Sequence, residues 1–150
     1  MTQTRPNRTL GPGHDDFWAG CAESQLRIPR CQSCTRQAWP VVKACDHCGS
    51  SDFLFETMSG KGKVVSWCSF VQDYYRGMMP VPYDNIMVEL AEGPILMSNP
   101  ANFAYDDITI NMAVEVTYID AEDAAGAFKL PVFRKACPTP LSSPKCPAGS

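Results

Sequence analysis

The stretch "CQSCTRQAWPVVKACDHC", residues 31 to 48, constrains this chain more than any other. Cys31 and Cys34 are separated by two residues, as are Cys45 and Cys48, and ten residues lie between the pairs. A two-residue gap lets one tight turn aim both sulfurs at a single ion, and four thiolates at about 2.3 Å complete a tetrahedron. Ten intervening residues allow a strand out and a strand back. Gly49 suits the tight backbone after the second turn, whereas Thr35 stands at the matching place after the first. The pattern predicts a closed structural site: Cys31, Cys34, Cys45 and Cys48 hold one Zn²⁺ per chain, with iron the alternative the same thiolates accept. A catalytic zinc would keep one position open to water, and His47 reads as a solvent-facing spacer. Dithiol redox chemistry would need one such pair, not two in register.

Closely spaced cysteine pairs read as metal ligands where thiols stay reduced. No apolar run approaches the ~20 residues of a membrane span. The opening "MTQTRPNRTLGPGHDDF" lacks the apolar stretch of a secretory signal. A cytoplasmic protein with no membrane partner is expected. Net charge is −3, split as +2 over residues 1–50, −5 over 51–110 and zero over 111–150. Nucleic-acid binders cluster cations to displace counterions from phosphates, so an acidic body argues against a nucleic-acid partner.

Along the chain, residues 1–13 read as a loose polar tail. "HDDFWAGCAESQLRI" (14–28) has helical spacing, with Asp15 or Asp16 as N-cap. Period-two patterning with β-branched residues then predicts strands at 53–58, 63–71, 85–90, 94–98, 112–120 and 126–136. Gly93 and Asn111 are placed at positive φ, and Pro131 marks an edge strand. Residues 137–150, with four prolines, read as an extended tail. Few helical signals and five or six short strands predict a mainly β fold built on a small OB-like barrel, with a sandwich as alternative.

Outside the quartet, "DYYRGMMPVPY" (73–83) is the main candidate contact surface. Tyr74, Tyr75, Arg76, Met78, Met79 and Tyr83 are of the types enriched at interfaces; capping of the barrel is the competing reading. Phe17 and Trp18 are candidate anchors, as are Trp39 and its neighbours between the cysteine pairs. Lys61 and Lys63 in "SGKGK" are weak candidates for holding a cofactor phosphate, though the segment lacks the Walker pattern. Cys68 reads as a small buried hydrophobe. Asp106, Asp107, Asp120, Glu122 and Asp123 read as solvated loop residues. With two histidines and scattered carboxylates, no catalytic set is recognisable.

"FWAGCAESQLRIPRCQSC", "CDHCGS", "GKGKVVSWCSF", "PVPYDNIMVELAEGPILMSN" and "NMAVEVTY" together resemble the family long called domain of unknown function 35. The resemblance runs from residue 14 to about 136. It implies a short N-terminal helix (with the tail, 1–29), a rubredoxin-like zinc ribbon (30–52), an OB-fold domain (53–136) and a proline-rich tail (137–150). It also implies a non-catalytic accessory subunit that bridges thiolase-superfamily subunits in acyltransferase or carbon–carbon lyase complexes. Phloroglucinol acetyltransferase, thiolase/synthase and steroid side-chain aldolase assemblies are examples. A free-standing acyl-CoA binder is the alternative, and a single-stranded nucleic-acid module the more distant one.

Overall fold

The computed structural model describes residues 2–136; the proline-rich tail, with Cys137 and Cys146, lies outside them. In chain order come β1 (Gln3–Thr4), α1 (His14–Ala22), β2 (Arg27–Cys31), β3 (Phe53–Thr57), β4 (Lys61–Phe70), β5 (Tyr83–Leu90) and β6 (Ile95–Ser98). A 3-10 turn (Tyr105–Asp107), β7 (Ala113–Asp123) and β8 (Gly126–Lys135) follow. The large sheet runs β1-β7-β4-β5-β6, with β8 also on β7; β2 and β3 form a separate antiparallel pair. The mainly β architecture and the six expected strand regions are observed.

The helix stops earlier than its apolar spacing predicts. Gln25 N–H donates to the Gly20 carbonyl and Ser24 takes a φ of 59°, which turns the chain back on itself. A Cβ on Gly20 would sit 2.8 Å from the Gln25 carbonyl oxygen, so the turn needs glycine there. Arg27–Cys31 thereby becomes a strand rather than the helix's end, and it pairs with Phe53–Thr57. That second segment, expected to join the barrel, instead belongs to the cysteine-bearing hairpin. Neither aspartate caps the helix. Gly13 is the N-cap without a side-chain bond, and Asp15 Oδ1 accepts from Gly11 N–H at 3.0 Å.

Gly62 lets β4 lie between β5 and β7, because a Cβ there would meet the Glu89 carbonyl oxygen at 2.6 Å. A register shift between Val64 and Ser66 then reverses the strand's alternation. Val64 points inward, Trp67 becomes half-buried, and Cys68 faces solvent rather than the core expected of it. Asn111 and Gly93 adopt the positive φ values expected of them, 63° and 114°. Pro131 sits in β8, whose only ladder among the described residues is with β7. On its far side β8 meets the chain just after β6. Phe133 N–H donates to the Asn99 carbonyl at 3.1 Å, and Ala101 N–H to the Phe133 carbonyl at 2.7 Å. This bridge draws the sheet's two ends together around Val64, Ile86, Val88, Leu90, Val114 and Phe133.

Residues 2–13 are not the loose tail their composition predicts. Gln3 and Thr4 run parallel to Ala121 and Glu122, and Arg5 N–H donates to the Glu122 carbonyl at 2.9 Å. Arg8 pairs with Asp123 through its backbone N–H (3.0 Å) and its Nε (2.9 Å), and the carboxylate is 1% exposed. Asp120, in β7, pairs with Lys129 at 2.6 Å. Neither of these two carboxylates is the free loop residue it was expected to be.

The Arg8 backbone N–H, followed by its guanidinium, holds the Asp123 carboxyl below its ordinary value. A depressed folded pKa contributes stability above the unfolded value, about 3.9, and loses it as pH falls through the folded one. The strap should therefore detach below roughly pH 4. Asp123→Asn should detach it at neutral pH and abolish that acid step. Limited proteolysis after Arg8 reads the release, with roughly tenfold faster cleavage expected once the strap is free. Equal cleavage rates in variant and native chain would show that this pair does not hold the strap.

Candidate functional site

The four cysteines converge from two turns of the same construction. In the first, Thr35 N–H donates to the Cys31 carbonyl (2.9 Å) and Cys31 N–H to the Arg36 carbonyl (2.8 Å). In the second, Gly49 N–H donates to the Cys45 carbonyl (2.8 Å) and Cys45 N–H to the Ser50 carbonyl (2.7 Å). Each turn closes on a residue at positive φ, 66° at Thr35 and 76° at Gly49. Thr35 accepts a conformation that a β-branched side chain disfavours, because its turn must match its partner's. β2 and β3 hold the turns together, with Cys31 opposite Phe53.

All four Sγ atoms lie within 4.8 Å of one another. Cys31 and Cys48 are 3.5 Å apart, and Cys34 and Cys45 are 3.6 Å apart. Thiolates at 2.3 Å from a tetrahedral ion would be about 3.8 Å apart, so the cage fits a metal with little adjustment. Backbone N–H groups, Cys34's first, draw the Cys31 thiol down to about 6. At Cys48 the Ser50 N–H pulls the same way, but the sulfur of Cys31 and desolvation outweigh it and push the thiol up to about 12. One thiolate forms readily and opposes the next, the crowding that a dication relieves. The quartet is a structural metal centre with four protein ligands.

The other expected site residues fall into three groups. Phe17 is not a surface contact: it is 6% exposed and packs on Trp18 and Trp39 at 5.0 and 4.8 Å. Trp18 and Trp39 are half-buried, and Trp18 Nε1–H donates to the Thr9 carbonyl at 3.0 Å. Tyr74, Tyr75, Arg76 and Met78 are exposed, Tyr74 at 63% and Met78 at 51%, while Met79 and Tyr83 are half-buried. Tyr83 stacks on Phe70 with centroids 5.0 Å apart. Lys61 and Lys63 are exposed at the far end of β4, about 30 and about 23 Å along the strand from Phe70. Lys63 pairs with Glu89 at 3.7 Å.

Between the 73–83 loop and the helix lies a cavity of about 560 Å³, walled by Trp18, Phe70, Tyr83, Met97, Phe128 and the strap. A second, of about 280 Å³, continues past Trp18 to Trp39 and Pro40. The two share Trp18, Met97, Ser98, Asn99 and Leu130, forming one groove from loop to ribbon. Sequence reasoning missed Arg5, Arg8, Phe128 and Asn99, which build its sides. The one visible signal was charge: Arg5 and Arg8 near one end, Asp120, Glu122 and Asp123 near the other.

A four-thiolate ribbon joined to a strongly curled five- to six-stranded sheet defines a zinc-ribbon and OB-fold class of protein. Residues 18–53 match the family model described as the ChsH2 rubredoxin-like zinc ribbon domain, and residues 55–118 match the ChsH2 C-terminal OB-fold domain. A solved structure described as an Ltp2-ChsH2(DUF35) aldolase superposes with a TM-score of 0.76 at 30% identity, covering 87% of this chain and 100% of that one. The chain belongs to the DUF35 family. A DUF35 protein of unknown function from Sulfolobus solfataricus shares the fold, with a TM-score of 0.54 at 14% identity over 71% of this chain and 78% of that one.

Two curated relatives are longer than the region they share with this chain. A probable enoyl-CoA hydratase alpha subunit of Thermomonospora curvata is 34% identical over 134 residues, which is 89% of this chain and 41% of that one. A DUF35 domain-containing scaffold protein of Pyrococcus furiosus is 30% identical over 83 residues, 52% of this chain and 57% of that one. Among the described residues, no helix is long and apolar enough to cross a membrane.

Proposed function

We propose that this chain is a non-catalytic, cytoplasmic accessory subunit that bridges and stabilises thiolase-like subunits of a multi-subunit acyltransferase or carbon–carbon lyase. The observation that carries this reading is the exposed apolar face around the groove. Val71 is 78% exposed, Met97 67%, Tyr74 63% and Met78 51%. These belong to a loop and an edge strand braced on a rigid sheet, and large apolar groups grouped at a surface mark interaction sites. The relatives support the type of partner, since one is named a scaffold protein, one an aldolase and one a hydratase subunit.

Zn²⁺ is the ion of the ribbon in this reading, supported by the sulfur spacing and by the zinc ribbon model that residues 18–53 match. Elemental analysis should return about one zinc per chain.

Co-expression with the thiolase-like products of neighbouring genes, followed by light scattering, tests the assembly. A hetero-oligomer is expected. Tyr74→Glu combined with Met78→Glu should weaken it by roughly 100-fold or more and leave the melting temperature nearly unchanged, because both side chains are exposed. A native chain that stays monomeric beside every such product would sink the reading.

A further inference from the structure

We propose that the cavity between the strap and the 73–83 loop binds an apolar monocarboxylate, its carboxylate received by the Arg5 guanidinium. This goes beyond the subunit reading and is tested without any partner. The cavity's volume, about 560 Å³, lies within the roughly 300–1,000 Å³ of small-molecule sites. Its walls are mostly aromatic or aliphatic: Trp18, Phe70, Tyr83, Met97, Phe128 and Leu130. Phe70 and Tyr83 lie nearly parallel, 8° apart, and offer a flat face.

Arg5 is the unusual member of this lining. Its guanidinium donates to Asn99 Oδ1 (3.1 Å), Gln3 Oε1 (2.8 Å) and, more weakly, Met79 Sδ (4.0 Å), and all three acceptors are neutral. Arg8, Arg27, Arg30 and Arg134 each face a carboxylate, but among the described residues Arg5 makes no ion pair. Half-burial without a counter-charge is unfavourable for a cation, and burial pushes this guanidinium below its ordinary pKa. An anion entering the cavity would supply the missing charge.

The surroundings fix where that anion sits. Asn99 Nδ2 donates to the Asp84 carbonyl (2.7 Å) and to Asn85 Oδ1 (2.8 Å), so its Oδ1 is turned to hold Arg5 in place. Asn85 Nδ2 has a weak acceptor, the Met97 sulfur at 3.8 Å, and is available as a second donor. The neighbouring Arg8 is neutralised by Asp123, and its guanidinium carbon sits over the Phe128 ring, 4.2 Å from the centroid, serving as wall rather than anchor. One unpaired guanidinium suits one negative charge, and its fork matches a carboxylate's two oxygens. A phosphate dianion would leave a charge unmatched, and the apolar walls select an apolar body.

Calorimetry on the full chain with octanoate, octanol, octyl phosphate and octanoyl-CoA tests this. Octanoate should bind at least roughly tenfold tighter than octanol, perturbing the Trp18 indole N–H in NMR spectra. Arg5→Gln should bring octanoate to octanol's affinity, and Arg5→Lys should fall between the two. Octanoate no tighter than octanol on the native chain would overturn the proposal even if neither variant folds. So would preferential binding of octyl phosphate or octanoyl-CoA, which would assign the cavity to a phosphate or a thioester. Loss of partner assembly in the earlier test leaves this result unaffected, and the converse holds as well.

Discussion

Cys31→Ser should leave the chain without metal and without a folded ribbon. A structural four-thiolate site contributes about 10–16 kcal/mol of apparent binding free energy to folding. Whole domains of this size are stable by only about 5–15 kcal/mol, so no other contact in the ribbon can replace it. The hairpin buries little on its own account. Ile28, Pro29 and Cys31 of β2 are buried, but β3 has no buried residue and its Leu54 is 57% exposed.

The damage should not stay local. Leu26, Ile28 and Met58 belong to the same packed cluster as Val64, Ile86 and Phe133 of the barrel. Met58 N–H donates to the Leu26 carbonyl at 2.7 Å, tying the hairpin's base to the chain entering it. Elemental analysis should therefore fall from about one metal per chain to none, with protease cleavage appearing between residues 31 and 53. A chelator applied to the native chain should produce the same pattern. A Cys31→Ser chain that remains protease-resistant and metal-free would remove the structural assignment.

The metal centre was readable in the sequence because its specification is local and chemical. Four sulfurs at fixed offsets define two turns, whatever surrounds them, and Gly49 marked one of them. The other was read from its cysteines alone, since a threonine at positive φ is not predicted by any local preference. Asn111 and Gly93 were equally legible, because few residues tolerate the backbone conformations these turns require.

What stayed hidden depends on contacts between distant parts of the chain. Residues 3 to 8 look like a tail until Asp123 and the edge of β7 are placed beside them. Phe53–Thr57 alternates like a barrel strand, and its pairing with Arg27–Cys31 follows only from closure of the metal cage. The outward turn of Cys68 arises from one extra residue in β4, a shift that period-two counting cannot register. The groove suffers most from this blindness, since its walls come from the strap, α1, the 73–83 loop, β6 and β8. Sequence reasoning found Trp18 and Tyr83, which carry an aromatic signature, and missed Arg5, whose importance lies in having only neutral partners among the described residues.

Phe133→Ala should be the most damaging single truncation in the barrel, lowering stability by about 3–5 kcal/mol. Phe133 has no exposed surface and is the largest of the fully buried side chains. Its backbone also forms the bridge to Asn99 and Ala101 that joins β8 to the end of β6. A cavity here cannot collapse easily, because β7 holds the segment on one side and that bridge holds it on the other. Phe133→Leu keeps most of the volume and should cost under about 1.5 kcal/mol. Urea titration separates the two variants, and the larger loss should appear as a lower midpoint at an unchanged slope. The same side chain lines the smaller cavity between Trp39 and Pro131. Truncation should therefore also open the groove at its ribbon end while leaving the four cysteines and their metal in place. A loss of less than about 1 kcal/mol for Phe133→Ala would mean that the sheet's ends are held by something other than this seam.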